Sequence, residues 1–123
     1  MRRRSSTLTG QELEIMKIVW ERESVTVRDV YEALLERRKV AYTTVMTMLK
    51  ILEQKQYVKK NQTDRAYVYR AAQPKRQVVG DMVREFVNRV FNGSAEPLLV
   101  HLVEEHNLTR ADLEEIARLR RKS

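Results

Sequence analysis

Between Ala41 and Gln56 the chain reads AYTTVMTMLKILEQKQ, and its hydrogen-bonding side chains gather on one side of the implied helix. At about 100° per residue, Leu49, Leu52 and Gln56 fall within about 40° of Val45, with Met48 at about 60°. Opposite them lie Thr43, Thr47, Lys50 and Gln54, flanked by Thr44 and Ile51. An idle solvent face would be filled with strong helix formers such as Glu, Lys and Arg, whereas β-branched threonines weaken a helix slightly. Threonine hydroxyls bond phosphates or base edges, threonine methyls touch the thymine methyl, and a glutamine amide reads adenine. The chemistry this face can do is recognition of a duplex groove.

A second candidate, HLVEEH from His101 to His106, fails on geometry. Histidines at this spacing stand about 140° apart around a helix and do not converge on one metal, and the H-x-x-E-H pattern of a zinc protease is not met. His101 with Glu105 reads more simply as an i,i+4 surface pair. The chain has no cysteine, which removes disulfides, thiolate zinc sites and redox switches. It has three glycines, none in a phosphate-binding loop, and no nucleophile elbow. Neither catalysis nor a metal or cofactor is expected.

The elements that must hold the threonine face can be read on either side of it. TGQE, Thr9 to Glu12, is a capping box that opens a first helix running to about Arg22, with Leu13, Met16, Ile18, Val19 and Trp20 as its apolar residues. Thr26 caps a second helix whose buried side is Val27, Val30, Tyr31, Leu34 and Leu35. After Gln56 the period changes. YVKK and RAYVYRA are strand-forming, with the turn-prone NQTD between them. Three helices followed by a hairpin is the order of a winged helix-turn-helix, with the third helix as reader and the hairpin as wing. Lys59, Lys60 and Arg65 surround the wing tip and suit phosphate contacts. Tyr67 and Tyr69 share one face of the strand and are expected to pack beneath the wing. Arg2, Arg3 and Arg4 are expected to add only weak electrostatic help.

Pro74 starts a second region of three helical segments, so the expected division is a DNA-binding domain over 1–73 and a helical domain over 74–123. The expected fold class is mainly α with a small β-hairpin. The apolar residues of the second region are Val79, Met82, Val83, Phe86, Val90 and Phe91, then Leu98, Leu99 and Leu102, then Leu113 and Ile116. Three short helices cannot cover that stripe from within one chain, so a homodimer is expected. Charge divides the same way. Residues 1–73 carry 15 Lys+Arg against 9 Asp+Glu, a net of +6, while 74–123 carry 9 against 8, a net of +1, so the basic character belongs to the front half, where an anionic partner would sit. No apolar run is long enough to insert in a membrane, and the basic start has no apolar region behind it, so a cytoplasmic protein is expected.

Taken together, LTGQELEIMKIVW, YTTVMTMLKIL, RAYVY and FNGSAEPLLVHLVEEHNLTRADLEEI resemble the penicillinase-repressor (BlaI/MecI/CopY) family of bacterial transcriptional regulators, over about Leu8 to Arg121. The resemblance implies a dimeric winged-helix repressor on an inverted-repeat double-stranded DNA operator with a TACA/TGTA-like core, dimerised through intertwined C-terminal helices. It places recognition contacts on Thr43, Thr44, Met46, Thr47, Lys50 and Ile51. Members often carry Arg or Lys where this chain has Thr43, Met46 or Ile51, and a Lys-Gly pair where it has Lys55-Gln56. In beta-lactam-responsive members a membrane sensor protease cuts an Asn-Phe bond; the matching regulatory position here is His101-Leu102, a different pair. Copper-responsive members carry C-terminal cysteines, absent here. The function expected is therefore a sequence-specific repressor. The alternatives are a winged-helix protein-interaction module and a sequence-indifferent architectural DNA binder.

Overall fold

A computed structural model describes residues 8–63 and 66–122. The chain forms two compact units, one ending at Val79 and the other beginning at Gly80. The division falls inside a helix, five residues beyond Pro74.

In the first unit, α1 (Gly10–Arg22) begins with the capping box foreseen in TGQE: the Glu12 amide donates to Thr9 Oγ1 at 3.1 Å and the Thr9 amide to Glu12 Oε1 at 2.9 Å. α2 (Val27–Leu35) repeats the device, with Thr26 and Asp29 exchanging bonds of 2.9 and 3.1 Å. Each box satisfies two amides that a helix start would otherwise leave unpaired. α3 (Tyr42–Gln54) starts from an extended Ala41 with no side-chain cap.

The wing consists of β2 (Val58–Gln62) and β3 (Tyr67–Ala71), antiparallel, with Lys60 opposite Tyr69 and Lys59 opposite Arg70. Sequence periodicity missed a third strand. β1 (Ser24–Val25) pairs with β3 through Ser24–Arg70 and Val25–Tyr69, which places β3 in the middle of a three-stranded sheet. Two residues carry no period of their own; β1 exists because β3 offers an unpaired edge.

The core of this unit is Ile15, Met16 and Val19 from α1, Val30 and Leu34 from α2, Val45, Leu49 and Leu52 from α3, with Val25, Val58 and Tyr69 from the sheet and Tyr57 just before β2. Ile15 replaces Leu13, Ile18 and Trp20 as a fully buried residue of α1, and Leu35, expected inside, is exposed. Trp20 stays half-buried because its indole N–H donates to the Gln73 carbonyl at 3.0 Å, as a buried-edge tryptophan requires. α4 (Lys75–Phe91) begins in this unit, and Val78 in its first turn is buried.

The second unit holds the rest of α4, then α5 (Glu96–His106) and α6 (Arg110–Lys122). α4 stops at Asn92 and Gly93, both left-handed, where the Gly93 amide bonds the Val87 carbonyl at 3.1 Å. Asn107, also left-handed, ends α5, and Thr109 with Asp112 caps α6 as expected. Phe91 sits edge-on to Phe86 at 5.9 Å and tilted against His101 at 6.0 Å. The expected His101–Glu105 pair does not form; among the described residues His101 is engaged with the Phe91 ring instead. No helix of the described chain is long and apolar enough to cross a membrane.

Candidate nucleic-acid interface

α3 is held by its apolar stripe. Val45, Leu49 and Leu52 are fully buried, which turns Thr43, Thr44, Met46, Thr47, Lys50 and Gln54 out to solvent and leaves Ile51 half-buried. None of the outward polar side chains hydrogen-bonds or ion-pairs with a described residue. Gln56, assigned to the buried face by periodicity, is not in the helix: α3 ends at Gln54, and Gln56 takes φ +70° to swing the chain into β2. A left-handed residue ends a helix where continued winding would carry the strand away from the sheet. Tyr42, unremarked in the sequence, is exposed at the start of α3 and packs edge-on against Tyr31 of α2 at 5.3 Å.

The exit of α3 is pinned by charge. Lys55 Nζ lies 2.8 and 3.0 Å from the two oxygens of Glu12, the same carboxylate that closes the α1 capping box. Glu12 is 4% exposed and is the one buried charged residue among those described.

On the wing, Lys59 and Lys60 are neighbours that point to opposite faces, as alternation in a strand demands. Lys59 faces outward, has no ion-pair partner among the described residues, and stands directly opposite the exposed Arg70. Arg70 was missed in the sequence; its signal is the register, which no local pattern reveals. Two like charges directly opposite cost stability in a hairpin, a cost an anion lying across them would offset. Lys60 shares the inner face with Tyr67 and Tyr69. Its Nζ lies 3.8 Å from Glu53 Oε1 of α3 and 4.4 Å above the Tyr67 ring. The tyrosines part company: Tyr69 is buried at 6% exposure, but Tyr67 is 47% exposed, because the hairpin outruns the core before reaching it. Burial chiefly pushes the Tyr69 phenol above its usual pKa of 10, the Lys60 charge opposing and Glu53 and Tyr67 adding to the rise. Arg65, with Arg2, Arg3 and Arg4, lies outside the described residues.

Three helices, a short third strand and a two-stranded wing beside an exposed polar helix define a winged helix-turn-helix protein. Over residues 8–122 the chain matches the penicillinase repressor family and belongs to it. The transcriptional regulator BlaI of Mycobacterium tuberculosis is 41% identical over 103 residues, 82% of this chain and 75% of that protein. Among solved structures, the DNA-binding domain of the repressor BlaI superposes with a TM-score of 0.53 at 25% identity, over 61% of this chain and 90% of that one. The Bacillus licheniformis BlaI monomer in complex with the blaP half-operator gives 0.51 at 25% identity, with the same coverage.

Proposed function

We propose that the chain is a homodimeric, sequence-specific transcriptional repressor that occupies an inverted-repeat operator. The observation that carries this reading is the outward row of α3: Thr43, Thr47, Lys50 and Gln54 are exposed hydrogen-bonding groups with no partner among the described residues. In this reading α3 enters the major groove, where Thr43, Thr44 and Thr47 meet phosphates and base edges and Met46 and Ile51 meet thymine methyls. Lys50, Lys59 and Arg70 neutralise phosphates. The half-operator complex of the Bacillus licheniformis relative supports it.

Residues 80–123 supply the dimer. Val83, Phe86, Val90, Leu99, Leu102, Leu113 and Ile116 are exposed in the single chain, Met82, Phe91 and Leu98 lie partly covered beside them, and Val79 continues the stripe. A second copy covers this surface and sets two α3 helices about one DNA turn apart, or a multiple of it. Release by a sensor protease at His101-Leu102 requires α5 to open first, since that bond lies inside the helix.

The test is a fluorescence titration of the DNA upstream of the protein's own gene against a scrambled duplex, at two salt concentrations, with Thr47→Ala alongside. A preference of at least about 10³ for the upstream DNA, reduced by Thr47→Ala on that duplex alone, is the expected result. Equal affinities would instead make the chain an architectural binder. Binding to neither would turn exposed Met46 and Tyr42 into a protein-docking face.

A further inference from the structure

The two lysines of β2 are not equivalent. Lys59 stands on the outer face of the wing beside Arg70, open to any phosphate that approaches. Lys60 turns inward, with its ammonium 3.8 Å from the Glu53 carboxylate of α3 and 4.4 Å above the Tyr67 ring. Both members of the pair remain partly solvated, with Lys60 and Glu53 side chains 32% and 36% exposed, so the charges are exchangeable rather than locked. The Tyr67 ring, itself exposed, holds the ammonium from the other side without neutralising it.

We propose that Glu53 is an affinity-limiting residue that withholds Lys60 from loose DNA binding and must be displaced from it when α3 is seated in a groove. The proposal rests on the DNA-binding reading above. Nonspecific complexes form mainly through phosphates attracted across solvent, and each cation they recruit releases about one counterion. A lysine already facing a carboxylate recruits none at that range, and the carboxylate repels the backbone besides. Once the groove is occupied, α3 brings Glu53 and Lys60 to the duplex together, and a phosphate oxygen at hydrogen-bond distance outcompetes a carboxylate at 3.8 Å. Breaking the pair is a cost that the seated complex bears in full, so removing the carboxylate tightens the operator complex at least as much as the loose one.

The experiment uses the full chain and two duplexes: one enriched from a random pool by selection on the wild-type protein, and a scramble of it. Glu53→Gln, a substitution at a half-exposed helix position with its folding checked by circular dichroism, is expected to bind the scramble about 5- to 10-fold tighter near 0.1 M salt. Its salt slope on the scramble should steepen by about one, and the selected duplex should tighten at least as much as the scramble. Lys60→Met added to Glu53→Gln should return the scramble to the wild-type value. No tightening on either duplex, or an unchanged salt slope on the scramble, would overturn the role of Glu53 while leaving the repressor reading standing. A pool that yields no enriched sequence would remove that reading, and this one with it.

Discussion

Lys55, the residue directly after α3, reaches back to both carboxylate oxygens of Glu12 in the first turn of α1, at 2.8 and 3.0 Å. One carboxylate thus serves two purposes, closing a capping box and anchoring the end of the groove-facing helix. The partners are unequally placed, with side-chain exposures of 23% for Lys55 and 5% for Glu12. Removing either has different consequences.

Lys55→Met would strand a buried carboxylate with the Thr9 amide as its remaining partner and is expected to cost about 2–4 kcal/mol. Glu12→Gln keeps a capping-box acceptor, and the Lys55 ammonium it releases can turn to water, so its cost should be about 1 kcal/mol. Urea unfolding of both variants measures the order. Equal losses would mean that leaving the carboxylate buried without its lysine costs nothing beyond the lost pair.

Gln56 holds φ +70° at the junction of α3 and β2, where a residue with a Cβ is strained by about 1–2 kcal/mol. Gln56→Gly relieves the strain but adds freedom to the unfolded chain, leaving a net gain of about 0.5–1 kcal/mol. Gln56→Ala keeps the Cβ and should show no gain. A melting temperature raised by alanine as much as by glycine would refute the backbone explanation.

Burial raises the Tyr69 phenol above its usual pKa of 10, so the folded chain holds this proton more tightly than the unfolded one. The resulting stability is fully present below pH 10 and is lost as the pH rises through the folded pKa. Tyr69→Phe has no such proton to lose. The difference in unfolding free energy between wild type and Tyr69→Phe should therefore be constant from pH 7 to about 9 and shrink above pH 10. A difference that stays flat to pH 11 would contradict it.

Phe86 and Ile116 are exposed apolar residues on α4 and α6. Placing Asp at either should dissociate the proposed dimer by at least about tenfold in sedimentation equilibrium, since a charge would be buried without a partner. Operator affinity should fall with it, while melting of the first unit stays unchanged. A wild-type chain that sediments as a monomer at micromolar concentration would end the dimer reading outright.

The residues themselves show why some of this was readable in advance. Thr9 with Glu12 and Thr26 with Asp29 lie three apart, so a cap declares itself within four letters of sequence. Val45, Leu49 and Leu52 recur with the helical period, and that alone orients Thr43, Thr47, Lys50 and Gln54 outward. Such features are local, and local spacing determines them. β1 could not be read, because Ser24 and Val25 become a strand only when Arg70 and Tyr69 arrive beside them. Ile15 took the place expected of Leu13, Ile18 and Trp20 because several faces of α1 are apolar and packing chose among them.

The sequence by itself determined the element order, the helix starts, the polar face of α3 and the basic character of the front half. The tertiary structure alone decided which charges meet. Glu12 and Lys55 are separated by most of the first unit's sequence, and Glu53 and Lys60 by a change from helix to strand. Lys59 faces Arg70 only through the register of a hairpin. Coulomb interactions fall off with distance in space, not along the chain. A lysine available to phosphate and a lysine already held by a carboxylate are therefore the same letter until the fold brings their neighbours to them.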